Sequence, residues 1–328
     1  MADTAGILPC QTIEALAASG AISASTPLEP GQAQPASLDL RLGARCWRVR
    51  ASFLPGAGRT VAQRLEAVAM HELDLERGAV LERGCVYIAE LQERLRLPPD
   101  VAGRGNPKSS TGRLDIFVRL LTDGGAAFDD VAAGYDGPLY LEIAPQTFSV
   151  LARVGTRLNQ LRLRRGEAPR ISVATVGVDL TGQLAGFRAR RHAGVIDLDR
   201  EEGHDPHDFF EALEPRRGEL LLDPGEFYIL ASKEVVEIPL DQAAEMTPID
   251  TAVGEFRAHY AGFFDPGFGS RAVLEVRSRE APFLLEDGQA VARLVYEPMS
   301  ERPARAYGEG GSHYQRQGLK LSKHFKAW

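Results

Sequence analysis

Cysteine is scarce in this 328-residue chain: Cys10, Cys46 and Cys85 stand far apart, and no CxxC pair occurs. An odd count without such pairs excludes a disulfide framework and a cysteine zinc site, so the thiols read as reduced core residues of an intracellular protein. Long apolar runs are missing too. No segment approaches the roughly 18 residues of a membrane span, and no membrane partner is expected. The opening MADTAGILPCQT has no basic stretch followed by an apolar run, which argues against a secretory signal and for the cytoplasm. Positive charge is in deficit, with 38 Lys and Arg against 45 Asp and Glu, a formal net charge of −7. That balance excludes the broad basic face with which proteins meet nucleic-acid polymers, but a nucleotide needs only a local cluster of donors.

Helical periodicity is sparse. CQTIEALAASG near the start places Ile13, Leu16 and Ala17 at helical spacing, and HDPHDFFEALEP predicts a second, shorter helix. Elsewhere the pattern alternates in twos. SLDLRLG (37–43) puts Leu38, Leu40 and Leu42 on one face and Asp39 and Arg41 on the other, and EFYILASKEVVEIPL, AVLEVRS and AVARLVYEP also read as strands. Many short strands with frequent turns predict an all-β chain, a sandwich or barrel with a few short helices.

The chain repeats itself. LERGCVYIAELQERLRLPPD (81–100) aligns with LDPGEFYILASKEVVEIPLD (222–241) at an offset of 141 (222 − 81), and GPLYLEI (137–143) aligns with SRAVLEV (270–276) at 133 (270 − 137). A repeat of this size is a duplicated domain, because a solenoid unit has only about 20–50 residues. The expected domains are 1–168 and 169–328, meeting in RRGEAPR.

Several segments carry chemistry. KSSTGR (Lys108 to Arg113) offers two cations, two hydroxyls and a glycine, a composition for holding phosphate oxygens and a water, though taken alone a solvated loop explains it as well. AGFFDPGFG (261–269) is a turn flanked by aromatics, and Glu275 follows ten positions after Asp265 inside a strand. Facing a cleft, that carboxylate would suit general acid–base work. The tail AYGEGGSHYQRQG (306–318) reads as a disordered end or a lid. His204 and His207 have ligand-like spacing but sit in an acidic loop without further ligands.

In this order these segments resemble the dCTP deaminase branch of the dUTPase-like family. The first half carries ILPCQTIEALAASGAI, QPASLDLRLG and LPPDVAGRGNPKSSTGRL, and the second carries AGFFDPGFG, Glu275 and AYGEGGSHYQRQG. The resemblance implies two tandem distorted jelly-roll (β-clip) domains and homo-oligomers with trimer-like or pseudo-trimer packing. It also implies sites composed from neighbouring units, without zinc, with Mg2+ accompanying the triphosphate. Its catalytic residues fall on Ser109, Arg113 and the water-activating Glu275. Substrate binding falls on Lys108, Ser110, Ala261, Gly262, Phe263, Phe264 and Asp265, with Tyr307, His313, Tyr314, Gln315 and Gln317 in a closing arm. Lys108 stands where arginine is common, and His313 where lysine is usual.

Each half departs from the pattern where the other keeps it. The first has Glu142 in the glutamate position but VAAGYDG for the DPGF turn, and the second has TPIDTAVG for KSSTGR. One composite site is expected, with the loop from the first half and the glutamate and arm from the second. The zinc deaminases' His-x-Glu and Pro-Cys-x-x-Cys segments are absent. The expected reaction is deamination of dCTP to dUTP and ammonia, feeding dUMP and dTTP synthesis. Its rivals are dUTP hydrolysis, a bifunctional deaminase–pyrophosphatase, and a non-catalytic nucleotide sensor. Removal of residues 312–328 is expected to spare folding.

Overall fold

A computed structural model describes residues 4–167, 170–249, 256–258, 262–278, 281–309, 314–315 and 317–328. The chain is all-β, as the alternating pattern predicts, and its sheets come in two matching sets. In the first set, one sheet runs in the order Asp130–Val131, Val101–Pro107, Asn159–Arg165, Ser37–Leu40, Ala33–Gln34. The other runs Ile116–Thr122, Asp136–Pro145, Val86–Arg96, Leu42–Val49, Ala69–Asp74. In the second set the corresponding orders are Phe263–Phe264, Gln242–Pro248, Ala290–Pro298, Ser172–Gly177 and Phe256–Ala258, Gly269–Ser278, Tyr228–Glu237, Gly186–Ala189, Phe210–Leu213.

The repeat extends to single hydrogen bonds. The Glu82 amide donates to Tyr87 Oη at 2.9 Å, and the Asp223 amide to Tyr228 Oη at 2.8 Å. Gly84 N donates to Pro145 O at 2.7 Å, and Gly225 N to Ser278 O at 2.9 Å, so the two offsets, 141 and 133 (278 − 145), meet across one bond. Both glycines have φ of 75°, a left-handed turn conformation that side chains with a Cβ seldom adopt.

The two sets share a core. The main apolar cluster joins Leu38, Leu40 and Phe148 to Phe187, Phe210, Ile229 and Phe325. Phe148 lies edge-on to Phe209 and Phe210, with centroids 5.5 and 5.4 Å apart. A sheet covered on both sides cannot keep a wet face, and SLDLRLG shows the consequence. Asp39 and Arg41 are as buried as the leucines that alternate with them. Arg41 is satisfied by Glu93 at 2.8 Å and by the carbonyls of Thr26 and Pro27, both at 3.0 Å, as a buried guanidinium must be.

The helix Cys10–Ala18 forms as predicted, with Ile13 and Leu16 on its buried face. HDPHDFFEALEP does not form a helix. The Asp205 side chain caps a single 3-10 turn, Pro206–Asp208, and Phe210–Leu213 continues as a strand paired with Gly186–Ala189. Burying Phe210 in the shared core outweighs the weak local helical preference. The helix Val61–Val68, opened by a capping box of Thr60 and Gln63, has no counterpart in the sequence expectation. None of the three cysteines is in a disulfide, and burial pushes the Cys46 thiol up to about 12. Among the described residues no helix is long and apolar enough to cross a membrane.

Candidate active site

The KSSTGR loop follows the strand Val101–Pro107, and Ser109–Gly112 wind one helical turn. Lys108 N and Thr111 Oγ1 both donate to Leu158 O, at 3.0 and 2.8 Å, which ties the turn to the chain entering Asn159–Arg165. Ser110 is buried and Ser109 half-buried. The Lys108 ammonium pairs with the Asp39 carboxylate. Arg113 is 3% exposed, with its guanidinium carbon 3.9 Å from the Tyr314 ring centroid. Its Nη1 donates to Gln317 Oε1 at 3.0 Å and to Lys320 O at 2.9 Å. Burial lowers its pKa, while Tyr314, Glu275 and Tyr307 act in the opposite sense.

The second half brings its turn onto this loop. Gly262 N donates to Asn106 Oδ1 at 2.7 Å, and Arg162 donates to the carbonyls of Ala244 and Phe264 at 3.0 and 3.2 Å. Arg162 also pairs with Asp265 at 3.3 Å and lies 4.0 Å over the Phe263 ring. Thus two side chains of the first half, half-buried Asn106 and buried Arg162, hold the DPGF segment of the second. Burial raises the Asp265 pKa, and Arg162 opposes the rise. Gly267 has φ of 88°, and a Cβ there would stand 3.0 Å from the Ala306 side chain, so glycine lets the arm cross the turn. Gln315 Nε2 donates to Gly267 O at 3.0 Å, and Ser270 Oγ donates to Gln317 O at 2.6 Å.

Between these parts lies a cavity of about 350 Å³. Of the expected site residues, Lys108, Ser109, Ser110 and Arg113 line it from the first half, and Phe263, Phe264, Asp265, Tyr307, Tyr314 and Gln317 from the second. Loop, turn and arm therefore converge within a single chain. Gly262 and Gln315 stand behind the wall as supports. Glu275 is buried on Gly269–Ser278 and outside the lining, near enough to Arg113 for its charge to act there. Ala261 and His313 lie outside the described residues.

Sequence reasoning missed Asp39, Arg157, Arg305 and Lys323, which also line the cavity. Asp39 lies inside QPASLDLRLG and was legible as part of that motif; the others carried no signal. Five cations (Lys108, Arg113, Arg157, Arg305, Lys323) thus face two carboxylates, Asp39 and Asp265, among the described lining residues.

The counterpart of Glu275 has a different setting. Glu142 is buried and bonded by Arg119 through Nε at 2.9 Å and through Nη2, while Arg119 packs over the Phe128 ring. Of TPIDTAVG, residues 250–254 lie outside the described residues. His204 accepts from Asp197 N at 3.1 Å, and His207 stacks on Trp328 at 4.2 Å, so each has a structural role.

The tail beyond the arm is part of the core. Leu321, Ser322, His324 and Phe325 are buried. Ser322 Oγ donates to Ser110 O at 2.8 Å, and Phe325 meets Phe210 edge-on at 5.4 Å. This corrects the expectation that 312–328 can be removed without loss of folding.

Comparison with known proteins agrees with this geometry. Residues 4–167 match the family model described as the 2'-deoxycytidine 5'-triphosphate deaminase N-terminal domain, and residues 150–325 match its C-terminal domain. The chain is 51% identical to a protein solved as a 2'-deoxycytidine 5'-triphosphate deaminase from Agrobacterium tumefaciens, with a TM-score of 0.87 over 90% of this chain and 99% of the other. It is 31% identical over 152 residues, 45% of this chain and 76% of the relative, to a dUMP-forming dCTP deaminase of Halobacterium salinarum. It is 27% identical over 141 residues, 42% of this chain and 70% of the relative, to one of Methanothermobacter thermautotrophicus. The chain belongs to the dCTP deaminase family of enzymes.

Proposed function

We propose that the chain deaminates dCTP to dUTP and ammonia in the cavity between residues 1–168 and 169–328, read as its two domains. The observation that carries this is the concentration of five cations around an aromatic-walled cavity in a chain of net charge −7, the complement of a base bearing a polyphosphate. Phe263, Phe264 and the backbone at 261–262 receive base and sugar. Lys108, Ser110, Tyr307, Tyr314, Gln315 and Gln317 receive or enclose the phosphates, with His313 in the arm.

Water attacks C4 of the cytosine ring while Ser109 orients it and Glu275, which stands behind the cavity wall near Arg113 and reaches the water once the nucleotide is seated, takes its proton. The C–O bond forms, the C–N bond breaks, one water proton ends on ring N3 and the other leaves with ammonia. Arg113 offsets charge developing at the ring from a buried position, where a fixed cation acts more strongly than in water. Neither step uses zinc. The triphosphate enters as its Mg2+ complex. Asp39 Oδ1, buried without a partner among the described residues, fits an oxygen ligand beside the phosphates.

A second reading is favoured by the Halobacterium salinarum and Methanothermobacter thermautotrophicus relatives, which are dUMP-forming dCTP deaminases. On it, dUTP is hydrolysed further to dUMP and pyrophosphate. Product analysis on dCTP and on dUTP separates the two. Ammonia with dUTP supports the first, and ammonia with dUMP and pyrophosphate the second. No product from either substrate refutes both and leaves a nucleotide sensor. The reading includes a homo-oligomer with trimer-like packing of domains, which light scattering tests.

A further inference from the structure

The cavity's cations are mostly engaged. Lys108 is held by Asp39, Arg157 by Glu29 and Asp39, and Arg305 by Glu14. Arg113 is turned to Tyr314, Gln317 and a backbone carbonyl. Lys323 lines the cavity and, like Lys108 and Arg157, also a second one of about 350 Å³, which shares Asp39 and Ser110 with the first as well. Lys323 therefore stands where the two spaces meet, beside the loop.

Its main chain is fixed by hydrogen bonds, while its ammonium is held by a partly exposed ion pair. Lys323 N donates to Tyr314 Oη at 3.1 Å. On one side Ser322 bonds Ser110 O at 2.8 Å, and on the other His324 Nε2 bonds Leu198 O at 3.1 Å. From this base the ammonium pairs with Glu201, whose side chain is 51% exposed. Exposed ion pairs contribute little, so replacing that carboxylate by phosphate oxygens costs little. A compact ammonium on a flexible stem is suited to such an exchange.

We propose that Lys323 is a substrate-binding residue that leaves Glu201 to take the distal phosphates of the nucleoside triphosphate, favouring triphosphates over monophosphates. This rests on the cavity being the nucleotide site, but its test does not depend on turnover. Binding of inorganic tripolyphosphate and of dCMP to the full chain is measured by calorimetry, beside steady-state kinetics on dCTP. Lys323→Met should weaken tripolyphosphate binding and raise KM for dCTP roughly tenfold or more, the loss of one charge-assisted hydrogen bond. Binding of dCMP and kcat should stay within about threefold, since only contacts to the distal phosphates are lost. Lys323→Arg should restore most of the affinity. Glu201→Gln, which removes the competitor, should tighten tripolyphosphate binding and keeps the test open if Lys323→Met folds poorly. Unchanged tripolyphosphate binding in both variants overturns the proposal, as does an equal loss for dCMP and tripolyphosphate. Intact tripolyphosphate discrimination without turnover of dCTP would refute the deaminase reading and leave Lys323 assigned.

Discussion

Arg162 is the buried cation with which the first half holds the DPGF turn of the second, so Arg162→Met is the most informative perturbation of the cavity's frame. Its side chain is 2% exposed and that of Asp265 is 8% exposed. Methionine keeps much of the volume but strands the Asp265 carboxylate and removes the donor from the carbonyls of Ala244 and Phe264. Breaking a buried pair by deleting one partner costs about 3–5 kcal/mol. The loss has a pH signature. Burial already holds the Asp265 pKa above its ordinary value against the opposing pull of Arg162, and without Arg162 it rises further. The native variant then keeps a proton over a range in which the unfolded chain has released it. Stability falls as pH rises through that range, which begins just above the ordinary carboxylate value. The deficit against wild type should therefore be larger at pH 8 than at pH 5, by about 1.4 kcal/mol for each unit that the pKa rises within the window. Urea midpoints for wild type, Arg162→Met, Asp265→Asn and the double variant, each at both pH values, provide the assay. The double variant should lose less than the sum of the singles and should lack the added pH dependence. Equal deficits at pH 5 and pH 8 would refute the assignment of Arg162 as the counter-charge of Asp265.

Glu275→Gln should abolish deamination with an unchanged melt, while Glu142→Gln, altering a carboxylate already occupied by Arg119, should keep most turnover; equal losses would refute the single-site assignment. Ser109→Ala should lower kcat by a factor of order 10² or more, as expected for a group orienting the attacking water, and a near-normal rate would misplace that water. A zinc-selective chelator should leave the rate unchanged and removal of Mg2+ should raise KM for dCTP, with activity tracking stoichiometric zinc as the contrary result. Phe325→Ala should cost about 3–5 kcal/mol in a denaturant melt, because its ring packs against Phe209 and Phe210, and an unchanged melt would mean the tail is not part of the core.

Strands, turns and the repeat were legible because they are local. The alternation in AVLEVRS and AVARLVYEP and the turn glycines Gly84 and Gly225 are set by neighbours a few residues away, and two aligned halves report them twice. HDPHDFFEALEP misled for the complementary reason: its periodicity spans too few residues to outweigh the pairing of Phe210–Leu213 with Gly186–Ala189.

The candidate site divides in the same way. By itself the sequence determined the all-β class, the duplication, and the residue types of loop, turn and arm, since each is a contiguous string whose chemistry survives being read in one dimension. Only the tertiary structure decided that loop and turn share a cavity within one chain, that Asp39 faces inward, that Arg119 occupies Glu142, that Arg162 backs the turn and that Lys323 lines the cavity. A charged side chain on a strand or tail takes its role from what the opposite sheet or the returning chain brings against it. Those contacts join residues as far apart in sequence as Ser110 and Ser322, and no local pattern encodes them.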